Sequence, residues 1–358
     1  MSHPHLIAVS TGVPAHVVSQ ADVRDLVARL FADTLADNTR LLDVFENAEI
    51  DSRHLCVPLA WLAQTHSFAE KNDRYVTDAV DLACEVASDA LAQARLHARD
   101  IDHLVMVSST GIATPSLDAR VANRLGTRVD MRRTPIWGLG CAGGAAGLAR
   151  AFDFARADPG ARVLTVAVEL CSATFQPGDA SKRNLVAASL FGDGAAAALV
   201  TGFAARAPRD TARMELIATR SILWPDTLDV MGWTVDGDGL HVVFSRDIPD
   251  IVRKHVPDSV AAFLDTHGLA LRDVRHLVAH PGGVKVLRAY ADALKLPDDT
   301  FVHARDVLRR FGNMSAPSCL FVLKRFLDTG EIGGGEHALI AALGPGFSAE
   351  YVLARGLA

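Results

Sequence analysis

The chain has no surplus of positive charge: 36 Lys and Arg stand against 42 Asp and Glu, a formal net charge of −6. A nucleic-acid partner would leave a basic footprint, so none is expected. No apolar run is long enough to span a bilayer, and no membrane span is expected either. The stretch from Met1 to Gly12 lacks a basic segment followed by an apolar core, which argues against a secretory signal. Cysteine is sparse. Cys56, Cys84, Cys141, Cys171 and Cys319 are scattered, with no close metal-type pairs. That odd set predicts reduced thiols in a cytoplasm and no metal centre. What the chain does have is apolar mass, 49% hydrophobic residues against 22% charged over 358 positions. This fits a soluble globular protein with a large core, built as two domains or one doubled domain.

Short apolar runs alternate with helical periodicity, which is the α/β pattern. Helices are predicted over Val76–Leu96, Ala142–Ala157, Ile248–His267 and Ser318–Asp328, and strands over His103–Val107, Val163–Val168, Ala195–Val200, His276–Ala279 and Ala338–Ala342. Thr201–Arg213 carries Gly, Pro and charge without periodicity and reads as a connection. A repeat is more informative. Arg99-Asp-Ile-Asp-His-Leu-Val105 is echoed by Arg272-Asp-Val-Arg-His-Leu-Val278, each followed by glycine after the strand. At nearly equal separations beyond these come Cys141 and Asn313, each introduced by glycine and heading a small-residue-rich helix. Matched order and spacing point to two copies of one unit packed face to face, residues 1–205 and 206–358.

Cys141 lies in Gly138-Leu-Gly-Cys-Ala-Gly-Gly144. A thiol at a helix start meets unpaired N–H groups that favour the thiolate, although a lone cysteine in a tight helix is more often structural. His280 precedes Pro-Gly-Gly at the carboxyl end of a predicted strand, where open α/β sheets place reacting groups. With 14 histidines in the chain, position is what singles it out; His103 and His276 look structural. Asn313 is an ordinary helix N-cap by type, but it holds in the second half the place that Cys141 holds in the first. The three together suit one task. A thiolate can carry an acyl group as a thioester, and a nearby histidine can keep it ionised. The histidine N–H and asparagine NH₂ can then stabilise the enolate left by decarboxylation of a malonyl thioester.

The stretches Gly140-Cys-Ala-Gly-Gly144, Leu190-Phe-Gly-Asp-Gly-Ala-Ala196, His280-Pro-Gly-Gly283, Gly312-Asn-Met-Ser315 and Gly344-Pro-Gly346 resemble, in order and spacing, the type III polyketide synthases of the chalcone-synthase group. The resemblance covers nearly the whole chain. It implies a five-layered αβαβα thiolase fold, a homodimer, and an acyltransferase that condenses malonyl-CoA iteratively onto an acyl-CoA starter, with no permanently bound cofactor. By the same resemblance Cys141 is the nucleophile, His280 and Asn313 the decarboxylation and oxyanion pair, and Phe191 a gatekeeper. Ser109, Glu169, Cys171, Thr174 and Ser315 fall where the family lines its cavity, beside Gly282, Gly283, Gly344, Pro345 and Gly346 of the motifs. The second gatekeeper aromatic falls at Val242, which implies a wider junction; Phe244 stands two residues later. Glu169–Asp179 with Asn184–Ala188 is nearer to bacterial alkylpyrone and alkylresorcinol synthases, which implies a fatty acyl starter and a pyrone or resorcinol product. The family's basic CoA-phosphate cluster has no clean match; Arg53 is a nearby candidate, or else a solvated surface charge.

A β-ketoacyl carrier-protein synthase III also uses Cys, His and Asn, but its histidine segment reads His-Gln-Ala-Asn. A biosynthetic thiolase would want a second cysteine near the C-terminus. A cysteine hydrolase would predict neither the repeat nor Gly344-Pro-Gly346. A non-catalytic scaffold has no support while all three polar positions stand.

Overall fold

The structure, a computed structural model, describes residues 2–36, 39–205 and 212–357. Nine strands form one sheet: β1 (His5–Gly12), β2 (His103–Val107), β3 (Arg132–Ile136), β4 (Arg162–Leu170), β5 (Asp193–Thr201), β6 (Met214–Leu223), β7 (Val274–Ala279), β8 (His337–Gly344) and β9 (Ser348–Gly356). Their order is β7-β8-β9-β6-β1-β5-β4-β2-β3. The sheet divides at the β1–β6 junction, which is a mere two residue pairs, His5 with Glu215 and Leu6 with Met214.

Either side of that junction the halves repeat. β2 runs parallel to β4, β4 antiparallel to β5, and β5 antiparallel to β1. β7, β8, β9 and β6 follow the same order and senses. The repeated Arg-Asp pair has one local job in both copies. Asp100 accepts from the His97 N–H and Asp273 from the Ala270 N–H, each at 2.8 Å, closing a 3₁₀ turn just before β2 and β7. His103 then hydrogen-bonds Thr134 and His276 hydrogen-bonds Glu336, so both serve packing. The described residues of the second half contain no counterpart of β3; a 3₁₀ turn at Asp298–Phe301 packs beside β7 instead.

Two helices, Gly143–Ala157 and Ala316–Thr329, lie side by side between the half-sheets and touch strands of both. Buried on nearly every face, they have the all-round apolar composition of central helices. Phe68–Gln93 covers the outer face of the first half, and Ile248–Asp265 pairs with Val284–Leu294 in the outer layer of the second. The result is the five-layered αβαβα arrangement of a thiolase fold. Along β2, Leu104 and Met106 face the outer core while Val105 and Val107 face the central helices, the period-two alternation of a strand buried on both sides.

The predicted elements are present with shifted ends. The Val76–Leu96 helix begins earlier, at Phe68, because Ser67 and Glu70 form a reciprocal capping box. Thr201 is the last residue of β5, so it belongs to the sheet and not to the predicted connection. Most of that connection, and the residues just past the expected 205/206 boundary, lie in 206–211, outside the described residues. All five cysteines are free and buried. Among the described residues no helix is long and apolar enough to cross a membrane.

The central layer depends on glycine. A Cβ on Gly144 would lie 2.2 Å from the Ala316 carbonyl oxygen, and one on Gly143 2.6 Å from Val107. Gly144→Ala is therefore expected to cost about 1–3 kcal/mol of stability, read as a lower urea midpoint. Gly178→Ala, where nothing lies within 4 Å, serves as the control; equal midpoints for the two variants would contradict this packing.

Candidate active site

Cys141 sits in a 3₁₀ turn, Gly140–Ala142, that leads into the first central helix. The turn needs Gly138 and Gly140 at positive φ, 91° and 45°. Ser109, just past β2, fixes it by accepting from the N–H groups of both glycines at 3.2 Å. Gly344-Pro-Gly346 packs on the same turn from the other side. A Cβ on Gly344 would stand 2.4 Å from the Leu139 oxygen, and Pro345 closes over Gly140.

Asn313 precedes the second central helix. The contact between the helices brings the two starts together, with Cys141 Sγ 3.9 Å from both Oδ1 and Nδ2 of Asn313. The amide is held in one orientation: Oδ1 accepts from the Ser315 N–H at 2.8 Å, and Nδ2 donates to the Gly282 oxygen at 3.2 Å. Its backbone bridges to Phe191, with Asn313 N–H donating to Leu190 O at 2.8 Å and Gly192 N–H to Asn313 O at 3.1 Å. His280 extends β7 by one residue, its N–H donating to Ala341 O of β8 at 2.9 Å. Cys141, His280, Gly282, Gly283 and Asn313 all line one cavity of about 510 Å³.

Burial governs the charge state of this group. Desolvation pushes the Cys141 thiol up to about 11, although hydrogen bonds from Ser315 and Asn313 pull the other way. It also pulls the His280 imidazole down to about 3, and neither ring nitrogen has a hydrogen-bond partner among the described residues. The resting pair is thus a thiol and a neutral imidazole, in place of the thiolate that the helix start and a close histidine led us to expect. Glu169, fully buried on β4, is pushed up to about 8 and carries a proton at neutral pH. One of its oxygens accepts from the Ser109 N–H and the Thr110 hydroxyl; the other has no partner among the described residues.

The remaining predicted residues separate into groups. Phe191, Cys171, Thr174 and Val242 line a second, mostly apolar compartment of about 50 Å³. Ser109, Glu169, Ser315 and Gly344–Gly346 line neither space and lie behind the cysteine turn. Two aromatics enter the site beyond the expected set, Trp233 unnamed by the sequence and Phe244 read there as no more than a neighbour of position 242. Phe244 lines the main cavity with its ring 5.6 Å from that of Phe191, and Trp233 stands 6.3 Å from Phe191 in the small compartment. Both belong to the hairpin Met231–Asp236/Gly239–Phe244. Positions 242 and 244 share a face of its second strand, a signal that strand alternation could have supplied. The junction therefore keeps a ring opposite Phe191, and the widening expected from Val242 is corrected.

Arg53 requires a second correction. It is 1% exposed, not a solvated surface charge. Its guanidinium donates to the carbonyls of Ala188, Ser189 and Phe191 at 2.7–2.9 Å, capping the helix Lys182–Leu190 and fixing Phe191. A group so enclosed is not presented to a CoA phosphate.

Family models for the N-terminal and C-terminal domains of chalcone and stilbene synthases match residues 2–203 and 215–358. The chain is 43% identical to a 1,3,6,8-tetrahydroxynaphthalene synthase of Streptomyces peucetius subsp. caesius, over 97% of this chain and 92% of the relative. It is 40% identical to a putative chalcone synthase of Bacillus subtilis, over 97% of each. Its structure superposes on the 1,3,6,8-tetrahydroxynaphthalene synthase of Streptomyces coelicolor A3(2), a bacterial type III polyketide synthase, with a TM-score of 0.93, 32% identity and 99% of each chain covered.

The raised thiol makes a pH prediction. Thiolate grows with pH up to the pKa, so alkylation of Cys141 by iodoacetamide should climb from about pH 7 to about pH 10 without levelling. Peptide mass spectrometry reads the rate at this residue; a plateau below about pH 8 would show an ion pair with His280.

Proposed function

This chain belongs to the chalcone and stilbene synthase family and is a type III polyketide synthase, an acyltransferase working on CoA thioesters, and we propose that Cys141, His280 and Asn313 carry its chemistry on an aliphatic acyl starter. The observation behind this is the meeting of Cys141 with Asn313 at 3.9 Å in the cavity that His280 also lines.

In the loading step Cys141 Sγ attacks the starter carbonyl and its proton passes to the neutral His280. A base kept at low pKa by burial accepts that proton only as the attack proceeds and returns it to the departing CoA sulfur. Malonyl-CoA then takes the vacated space. Its carboxylate–Cα bond breaks, CO₂ leaves, and the electron pair moves to the thioester oxygen as an enolate. The imidazole N–H and Asn313 Nδ2 donate to that oxygen. The enolate carbon attacks the acyl group on Cys141, the thiolate is expelled, and the β-keto product on CoA is two carbons longer. Return of that product to Cys141 makes the cycle iterative, and ring closure to a pyrone or resorcinol ends it.

Support for an aliphatic starter comes from the small compartment, whose wall includes Val23, Leu26, Val27, Leu62 and Val242, behind the Phe191 ring. A second reading has a short starter, malonyl included, and a fused aromatic such as the tetrahydroxynaphthalene named for the 43% relative. The modest size of that compartment, about 50 Å³, favours it. The homodimer remains part of the proposal. β3 is an unpaired sheet edge flanked by exposed Trp137, Ile112 and Val129, a surface that pairing of two copies would cover. Sedimentation as a monomer would remove it.

Malonyl-CoA with a panel of acyl-CoA starters, products read by mass spectrometry, tests the reading. Long-chain pyrones or resorcinols support the first version; products from malonyl-CoA alone support the second. A single condensation that requires a carrier protein would favour the synthase III alternative, and no CO₂ from any starter would sink both versions. Cys141→Ala should abolish the covalent acyl adduct. Asn313→Ala should slow malonyl-CoA decarboxylation about 100–1000-fold, the loss typical of one oxyanion donor.

A further inference from the structure

The hairpin Met231–Asp236/Gly239–Phe244 forms a two-stranded sheet of its own, apart from the nine-stranded one. An isolated hairpin is marginal in water, so this one must be held by its surroundings. At its base, Met231 and Phe244 pack on the core, and the Ser245 N–H donates to Val230 O at 2.8 Å. The turn end has one buried apolar side chain, Leu240. Its other anchors are polar and come from two distant segments, Lys71 near the start of Phe68–Gln93 and Gln176 beyond β4.

Lys71 and Gln176 are 5% and 6% exposed. Lys71 Nζ donates to Gln176 Oε1 at 2.7 Å and to Asp238 O, in the hairpin turn, at 3.5 Å. Gln176 Nε2 donates to the Asp238 and Leu240 oxygens, each at 3.4 Å. Asn184 Nδ2 donates to Gln176 O at 2.7 Å, which fixes the backbone that carries the amide. A buried lysine normally faces a carboxylate, yet among the described residues none lies within ion-pair distance of Lys71. Burial lowers its ammonium pKa, and Asp238 and Asp236 of the hairpin oppose that shift. The charge is therefore directed at the hairpin, whose turn supplies both an acceptor and the acids that stabilise it. Gln176 and Leu240 also line the small compartment, together with Thr174, Phe191, Trp233 and Val242. Lys71 lies one layer behind that wall, sharing a gap of about 10 Å³ with Thr174 and Leu240.

We propose that Lys71 and Gln176 form a latch that positions this hairpin and thereby sets the acyl length the small compartment accepts. Lys71 is a positioning residue acting through Gln176, because it reaches the compartment wall without lining it. The hairpin is the lever. Paired strands join the gripped turn to Val242, which stands opposite Trp233 in the register, and to Phe244. The Trp233 and Phe244 rings pack on Phe191, so a shift at the turn moves the face that closes the compartment. The proposal rests on the reading of the chain as a condensing enzyme whose acyl chain enters that compartment. Cys141, His280 and Asn313 belong to the main cavity, so the latch governs which chain fits and not the bond-making steps.

Lys71→Met removes one half of the latch at similar volume, and Gln176→Leu removes the other. Hydrogen–deuterium exchange, read by peptide mass spectrometry, should run about fivefold faster over residues 231–244 in either variant, as for one lost hydrogen bond. Residues 138–147 should exchange as in the wild type. With malonyl-CoA and the acyl-CoA panel, Lys71→Met should broaden the spread of starters accepted and of product lengths. CO₂ release from malonyl-CoA should meanwhile keep its kcat within about twofold. Adding Lys71→Met to Gln176→Leu should change neither readout further. Lys71→Arg, which keeps a cationic donor, should restore the wild-type product spread. The Gln176→Leu exchange keeps the latch testable where Lys71→Met does not fold. Unchanged exchange over 231–244 in both variants overturns the latch, as do CO₂ release and elongation falling in equal proportion. Faster exchange with a wild-type product spread overturns its role in specificity. Wild-type protein that yields no polyketide from any starter sinks the condensation reading, and the hairpin exchange then still decides whether the latch exists.

Discussion

The contact between the two central helices is the constraint on which the rest depends. Gly144 lets the backbone of Gly143–Ala157 press against the Ala316 carbonyl, closer than any side chain would permit. Because Cys141 and Asn313 each stand just ahead of one of these helices, that approach carries them to 3.9 Å. A second close approach locks the pair: Gly312 at φ 68° lies against the Leu190 oxygen, and Gly192 against that of Phe311. The Phe191 and Asn313 backbones are hydrogen-bonded as a result. The Phe191 ring and the amide therefore belong to one rigid piece, and a shift in either half would move both.

Close packing also sets the chemistry. Excluding water from the site raises the thiol and lowers the imidazole together, so neither is charged at rest. A neutral pair asks little of a buried site, whereas a lone buried ion would be costly. The Asn313 amide beside them is held in one orientation by the Ser315 N–H and the Gly282 oxygen. Polar groups that do not face the cavity support this arrangement. Ser109 holds the cysteine turn, and buried Asp193 accepts from the N–H groups of Cys56 and Ser172 beside the small compartment.

Legibility differed by kind of residue. The repeated Arg-Asp…His-Leu-Val segments were readable because one backbone job, a 3₁₀ turn closed by Asp before a buried strand, needs the same residues each time. Arg53 was not. An arginine four residues from a glutamate and beside polar neighbours looks solvated, and its enclosure comes from a helix end 135 to 138 residues away. Phe244 is legible once the pleat is followed, because strand alternation puts it on the same face as Val242, with its ring near that of Phe191.

The amino-acid order by itself determined the α/β class and the doubled architecture, and it singled out the three polar residues that the fold brings to one cavity. Each of these rests on local requirements: apolar periodicity, glycine where backbones turn or touch, and a polar residue at a strand or helix end. Tertiary structure decided what depends on distance and dielectric. It fixed the charge state of Cys141 and His280, the enclosure of Arg53 and the ring facing Phe191. Desolvation and long-range contact act between residues that no spacing along the chain relates.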